Sequence, residues 1–346
     1  MHRATAAPLL AALCFIAAGC SSPASGAARE AQVPPGISVS FDAKAASELI
    51  QWARSDSSTP PEDWRSEHAY ELTRLWAQWN GQADPDVEVE AQLQRLARRK
   101  SQGTDSPVVV ASEKLLREVL DGQQAFLQSA VRLLSSYLPP QTAFQARVLF
   151  ALFIPPYSFS WGDGSIVIDL AADYWQGNPD KVLNLIVHEL YHDGFLGYQP
   201  GTSAADARDG AAIVEHVLWR TQNEGLATYV AYRARTPRAT IEDYELLDDA
   251  AQVERRFDLL RRLLADAAAA GVEELPALRE RTTQVGDMQR AYFVVGAFMA
   301  RRIEERSGRD VLIGTVTGGP HAFFSAYAAT APAQELSMPL PQKGAK

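Results

Sequence analysis

The segment KVLNLIVHELYHDGF, residues 181–195, places two histidines four residues apart within an apolar run. On a helix, His188 and His192 would lie on one face, separated by about one turn. Two imidazoles in this arrangement can bind one tetrahedral zinc ion, with Glu189 beside the metal as a general base. The chain has only 6 histidines, so chance rarely produces this HExxH pattern. The segment therefore predicts a hydrolytic zinc site.

A zinc site needs a third protein ligand, and the helical segment at residues 211–234 offers three candidates. Glu215 and His216 precede Glu224 by about two helical turns, so only one of the two regions can reach the metal. We favour Glu224, because Gly225 follows it and would allow close packing on the HELYH helix. Glu215 and His216 remain the alternatives.

The pair of motifs HELYH and NEGLATY resembles the gluzincin metallopeptidases, whose third zinc ligand is a glutamate. Within that group it is similar to the bacterial zinc-dependent peptidases of the DUF5700/DUF2268 kind, over about residues 146–327. The resemblance implies that His188, His192 and Glu224 bind Zn²⁺, that Glu189 is the catalytic base, and that the substrate is a peptide or protein.

The same resemblance gives a role to Tyr292, which could donate a hydrogen bond to the oxyanion of the tetrahedral intermediate. The alternative is that Tyr292 is a core aromatic residue. Many gluzincins also carry an aspartate one turn after the glutamate ligand, where this chain has Thr228. Asp193 could orient a zinc-bound histidine instead, but a role at the end of its helix is an equal alternative.

The elements that position these residues can be read from the same region. ARVLFALFIP and SIVIDLA are typical of strands, and WGDG between them is a turn signal. The HELYH helix is expected to have Asn178 as its N-cap, Pro179 at its first position and Gly194 at its end. We predict an α+β fold that is mostly helical: a zincin-like catalytic domain with a small β-sheet, preceded by a helical region.

The N-terminus indicates a bacterial lipoprotein. A basic start, an apolar run and the sequence AAGC ending at Cys20 resemble a signal peptide with a lipobox. This implies cleavage before Cys20, lipid modification of its thiol, and anchoring in the cell envelope, facing the periplasm or exterior, at the outer membrane of a Gram-negative cell. Ordinary secretion is the alternative. The domains are predicted as signal peptide 1–19, flexible tether 20–36, helical region 37–140, zincin-like domain 141–330 and disordered tail 331–346.

Composition excludes other classes of partner and of site. The formal net charge is −9 with acidic residues spread along the chain, which argues against a nucleic-acid surface. Cys14 and Cys20 both lie in the N-terminal signal segment, so the mature body has no cysteine pair and therefore no disulfide and no thiolate metal site. Two other functions stay open: an inactive zincin-fold scaffold, and zinc hydrolysis of a non-peptide amide. Glu189 argues against the scaffold, because a structural zinc site needs no base.

Overall fold

The computed structural model of the protein describes residues 36–79 and 82–330. The predicted signal peptide, most of the tether and the predicted tail lie outside these residues. The described chain forms two compact units, each treated separately below. The sheet unit comprises residues 36–201 and 230–241, and the helical unit comprises residues 202–229 and 242–330.

The sheet unit is built on a small mixed sheet with the strand order β1-β2-β4-β3. Strands β1 and β4 both run parallel to β2, whereas β3 runs antiparallel to β4. Strand β4 is buried throughout and β2 is buried from Val148 to Ala151, which explains the apolar runs VLFA and IVI. The strands are β1 (Ser38–Asp42), β2 (Gln145–Ala151), β3 (Ser158–Ser160) and β4 (Ser165–Asp169).

Six helices complete the sheet unit, and the last of them carries the HELYH motif. This helix packs against β3 and β4 of the sheet and against the two helices at Pro107–Asp121 and Gln123–Ser135. The helices are α1 (Lys44–Arg54), α2 (His68–Trp79), α3 (Pro85–Ser101), α4 (Pro107–Asp121), α5 (Gln123–Ser135) and α6 (Pro179–Leu196), with short 3₁₀ turns at Trp64–Ser66 and Asp173–Trp175.

The helical unit has no strand among its described residues. One of its segments is a π-helix, Thr283–Met288, which joins two α-helices. The α-helices are α7 (Gly210–Ala234, of which Val230–Ala234 belongs to the sheet unit), α8 (Glu242–Asp248), α9 (Ala250–Ala269), α10 (Leu275–Thr282), α11 (Ala291–Ser307) and α12 (Arg309–Thr330), and a 3₁₀ turn covers Val272–Glu274. Helix α12 is kinked at Gly319, where φ is 76° and Pro320 follows.

The structure confirms the predicted fold class, an α+β fold that is mostly helical with a small sheet. Strands β2 and β4 also match the sequence patterns. Strand β1 was not predicted, because only Val39 and Phe41 mark its alternation before α1 begins. None of the described helices is both long and apolar enough to span a membrane.

One predicted boundary of α6 is confirmed and the other is wrong. Asn178 is the N-cap, since its side chain accepts a hydrogen bond from the Asp180 N–H, and Pro179 follows it. Gly194, however, does not end the helix, which continues to Leu196. A Cβ at Gly194 would lie 2.4 Å from a methyl carbon of Leu138. This glycine is therefore required by close packing within the sheet unit.

Candidate metal centre

The two motif histidines lie side by side on α6. The Nε2 atoms of His188 and His192 are 3.0 Å apart, and the two rings are nearly perpendicular with centroids 4.7 Å apart. Two ligands of one tetrahedral zinc ion would place their nitrogens about 3.3 Å from each other. Both side chains are buried, with His192 fully enclosed. The pair is therefore arranged as two ligands of one metal ion would be.

The motif carboxylate is held between α6 and the edge strand β3. Glu189 is fully buried, and Ser158 on β3 lies with its hydroxyl 3.4 Å from Glu189 Oε1, a long hydrogen bond. One turn further along α6, the Ser160 hydroxyl donates to Asp193 Oδ1 at 3.0 Å. Two serines of β3 thus contact two acidic residues of the motif helix. The sequence prediction missed both serines, because β3 has only three residues.

Asp193 is a buried acid next to a predicted zinc ligand. Burial raises the pKa of the Asp193 carboxyl to about 7, against the opposing effects of the Ser160 hydrogen bond and of His192. Its Oδ2 atom has no hydrogen-bond partner among the described residues. Thr228, the residue that replaces the expected aspartate on α7, is also buried, and its hydroxyl likewise has no partner in this part of the chain. The prediction that Asp193 orients a histidine stays a prediction.

Glu224 belongs to a buried set of charges in the helical unit. Its Oε1 atom lies 2.9 Å from Arg220 Nη1, one turn earlier on α7. Arg220 Nη2 donates in turn to Asp287 Oδ1 of the π-helix at 2.5 Å. Burial raises the pKa of the Asp287 carboxyl, and the Arg220 guanidinium acts in the opposite direction. All three side chains are almost completely enclosed.

The alternative ligands on α7 have other partners. Glu215 is hydrogen-bonded to His321, at 2.8 Å between Oε1 and Nε2, and both side chains are partly exposed. His216 is buried with its Nδ1 atom 3.1 Å from the hydroxyl and the carbonyl oxygen of Thr202. Burial, together with nearby Arg220, lowers the pKa of His216 to about 3. His216 is therefore neutral at physiological pH.

The structure brings together the three residues that the sequence analysis favoured. Of the His, Cys, Asp and Glu side chains in the described part of the chain, those of His188, His192 and Glu224 form a group whose ligand atoms lie within 4.8 Å of one another. All three are buried, and two imidazoles with one carboxylate are a donor set that zinc accepts. The group could therefore bind a zinc ion.

The reason for Gly225 differs from the predicted one. A Cβ at this position would lie 2.2 Å from the Cα of Gly296, so the glycine allows α7 to approach α11. A Cβ at Gly296 would in turn lie 2.1 Å from the carbonyl oxygen of Thr221. The two glycines therefore form a reciprocal backbone contact within the helical unit, whereas the prediction assigned Gly225 to packing on the HELYH helix.

Tyr292 lies in the helical unit, at the start of α11. Its side chain is fully buried, and its hydroxyl has no hydrogen-bond partner among the described residues. The Arg220 guanidinium lies 5.6 Å from the ring centroid, and a Cβ at Gly286 would lie 1.8 Å from a ring carbon. Burial is the main reason why the pKa of Tyr292 is raised, so it is a neutral donor. Its catalytic role stays a prediction.

Comparison with known proteins identifies a family for this chain. No curated protein and no solved structure shows significant similarity to the chain. A family model described as "Putative zinc dependent peptidase (DUF5700)" matches residues 111–334, which include α6, α7 and the π-helix. The match covers more than half of the chain, and it contains the buried His188, His192 and Glu224. The chain therefore belongs to the DUF5700 family.

Proposed function

We propose that this protein hydrolyses peptide bonds with a zinc ion held by His188, His192 and Glu224. The observation that supports this proposal most directly is the buried group of these three side chains, with a fourth residue, the acidic Glu189, next to a ligand in the chain. Membership of the DUF5700 family supports the choice of zinc and of a peptide substrate.

When bound, zinc would supply Lewis acidity, lowering the pKa of water and polarising the scissile carbonyl. The protein's own contribution is the handling of protons. Glu189 would accept a proton from the attacking water and pass it to the leaving amine nitrogen as the peptide bond breaks. The Ser158 hydroxyl, 3.4 Å from Oε1, supports this role because it limits the rotation of the carboxylate.

Tyr292 is proposed as the hydrogen-bond donor that stabilises the oxyanion of the tetrahedral intermediate. A buried hydroxyl with no partner among the described residues is costly unless a ligand satisfies it, and this cost supports the assignment. The raised pKa keeps the proton on the hydroxyl at physiological pH, as a donor requires.

The location proposed for this activity is the bacterial cell envelope, with the chain anchored by lipid on Cys20. The support is the sequence pattern that ends in AAGC. Two or more acyl chains would make the anchoring stable, whereas one chain holds weakly. The substrate would then be a peptide or protein on the periplasmic or outer side of the membrane.

Zinc content and peptide cleavage, measured on the same full-length preparations, test the proposed function. We expect about one zinc per chain in the parent protein, together with cleavage of a labelled peptide library. His188→Ala and Glu224→Ala should each lose both properties. Glu215→Ala is the matched control on the same helix and should keep both. If Glu224→Ala still contains zinc and Glu215→Ala does not, the ligand assignment is overturned.

A further inference from the structure

Three ionisable side chains, one of them the proposed ligand Glu224, form a continuous buried chain within the helical unit. Arg220 lies between two carboxylates, with Nη1 at 2.9 Å from Glu224 and Nη2 at 2.5 Å from Asp287. The three side chains are at most 4% exposed. Buried charges are costly unless they are paired, so this arrangement must be satisfied as a unit. All three residues belong to the helical unit.

The contact between Arg220 and Glu224 restricts the glutamate side chain. The two residues are one turn apart on α7, so their side chains lie on the same face. A guanidinium is planar and presents its N–H groups in a rigid fork, which gives each bound carboxylate a defined position. Because Asp287 holds the other arm of the fork, Arg220 is itself fixed. Glu224 is therefore held on one side by a cation that cannot easily move.

Asp287 is presented by an unusual backbone. It lies in the π-helix Thr283–Met288, a helical form that is rare and is found frequently at functional sites. The preceding residue, Gly286, has no side chain, and any Cβ there would collide with the ring of Tyr292. The π-helix thus places an acid against Arg220, and Gly286 leaves room for the Tyr292 ring beside it.

We infer that Arg220 and Asp287 are positioning residues that hold the Glu224 carboxylate in the orientation needed to bind the metal. This inference rests on the proposed zinc site. Arg220 sets the position of Glu224, and Asp287 both fixes Arg220 and offsets its positive charge. Without Asp287, the formal charge behind the glutamate would rise by one and would oppose binding of a dication. Partners that orient metal ligands in this way typically contribute 10–100-fold to metal affinity.

A stabilising ion pair with no effect on the metal site is the competing explanation, and the same unit offers a control for it. Arg290 donates to Asp243 through Nε at 2.7 Å and through Nη2 at 2.5 Å, and both side chains are mostly enclosed. Arg290 donates two hydrogen bonds to Asp243 and Arg220 donates one to Asp287, so each pair joins a guanidinium to a carboxylate. Asp243→Asn therefore matches Asp287→Asn in chemistry and in unit.

The test is the zinc affinity of the full-length chain, measured by competition with a chelating dye, together with the melting temperature. We expect Asp287→Asn to weaken zinc binding about 10–100-fold. Asp243→Asn should leave the affinity within a factor of about two of the parent, a margin well below the effect of an orienting partner. Arg220→Lys keeps the charge but not the fork, and it should weaken binding even if it folds well.

The outcomes separate this inference from the proposed zinc site. If the parent does not bind zinc, or if Glu224→Ala binds it as tightly as the parent, the proposed site itself fails. If the parent binds zinc and Glu224→Ala does not, but Asp287→Asn and Arg220→Lys bind it like Asp243→Asn, only the positioning role is refuted. If Asp287→Asn does not fold, Arg220→Lys decides the question alone.

Discussion

The reciprocal glycine contact between α7 and α11 predicts a clear effect on stability. In Gly225→Ala, the new Cβ would lie 2.2 Å and 2.4 Å from the Cα and carbonyl carbon of Gly296, and 2.9 Å from the Ala297 nitrogen. All three atoms belong to the backbone, so no side chain can rotate to make room. Ordinary contact distances begin near 3.5 Å, so the two helices must separate by about 1 Å.

The expected change in the free energy of unfolding is the sum of two opposing effects. Overpacking of a buried contact typically costs about 1–3 kcal/mol, and a rigid backbone partner places this case at the upper end. Alanine gains up to about 1 kcal/mol over glycine within a helix. The free energy of unfolding should therefore fall by about 2 kcal/mol, which corresponds to a fall in melting temperature of about 4–8 °C for a domain of this size.

Gly314→Ala is the matched control for this prediction. Gly314 lies within α12 of the same unit, and a Cβ there would meet nothing within 4 Å. This substitution should raise the melting temperature slightly, through helix propensity alone. Thermal unfolding of both variants, followed by circular dichroism, gives the comparison. A Gly225→Ala variant as stable as the parent, or shifted in the same direction as Gly314→Ala, would refute the reasoning about the helix contact.

Two further predictions concern the sheet unit and the N-terminus. Burial raises the pKa of Asp169 to about 7, above the value of about 3.9 in an unfolded chain. Between these two pH values the folded state binds one more proton than the unfolded state. The free energy of unfolding should therefore fall as pH rises from 4 to 7, by up to about 1.4 kcal/mol per pH unit. In Asp169→Asn, the amide oxygen can still accept hydrogen bonds from the N–H groups of Phe153 and Ala171, which both bind Oδ1 in the parent. Urea unfolding at pH 5 and pH 7 should therefore show a smaller change of the free energy of unfolding with pH than in the parent. An equal change in the two proteins would contradict the assignment. For the N-terminus, mass spectrometry of protein isolated from its bacterial host should find an acylated Cys20, and a soluble protein beginning elsewhere would exclude the anchor.

The sequence predicted the site better than it predicted the contacts that support the site. Local patterns were sufficient to place His188, Glu189 and His192 on one helix, because the four-residue spacing and the apolar run define that helix. Asn178 and Pro179 were also predictable, since capping depends on neighbouring residues. The choice of Glu224 over Glu215 rested on Gly225 and on the resemblance to gluzincins, and the structure groups Glu224 with the two histidines.

The contacts that were missed depend on residues far apart in the chain. Arg220 and Asp287 are 67 positions apart, and no local pattern indicates that they pair. A partial signal existed, because Arg220 is a charged residue in a run that is otherwise suited to a buried helix. The two glycine errors have a related cause: Gly194 and Gly225 were correctly judged to need a reason, but the reason was a neighbour that only the fold supplies.

The most direct test of the central claim is a comparison of Glu189→Gln with the parent in zinc content and in peptide turnover. Glutamine keeps the size of the side chain but cannot accept the proton from water. The proposed mechanism predicts about one zinc per chain in both proteins, with turnover in the variant lower by about 10²-fold or more, since general base catalysis typically contributes 10²–10⁴-fold. Undiminished cleavage by a zinc-loaded Glu189→Gln would contradict the mechanism, because the proposed base would then not be needed.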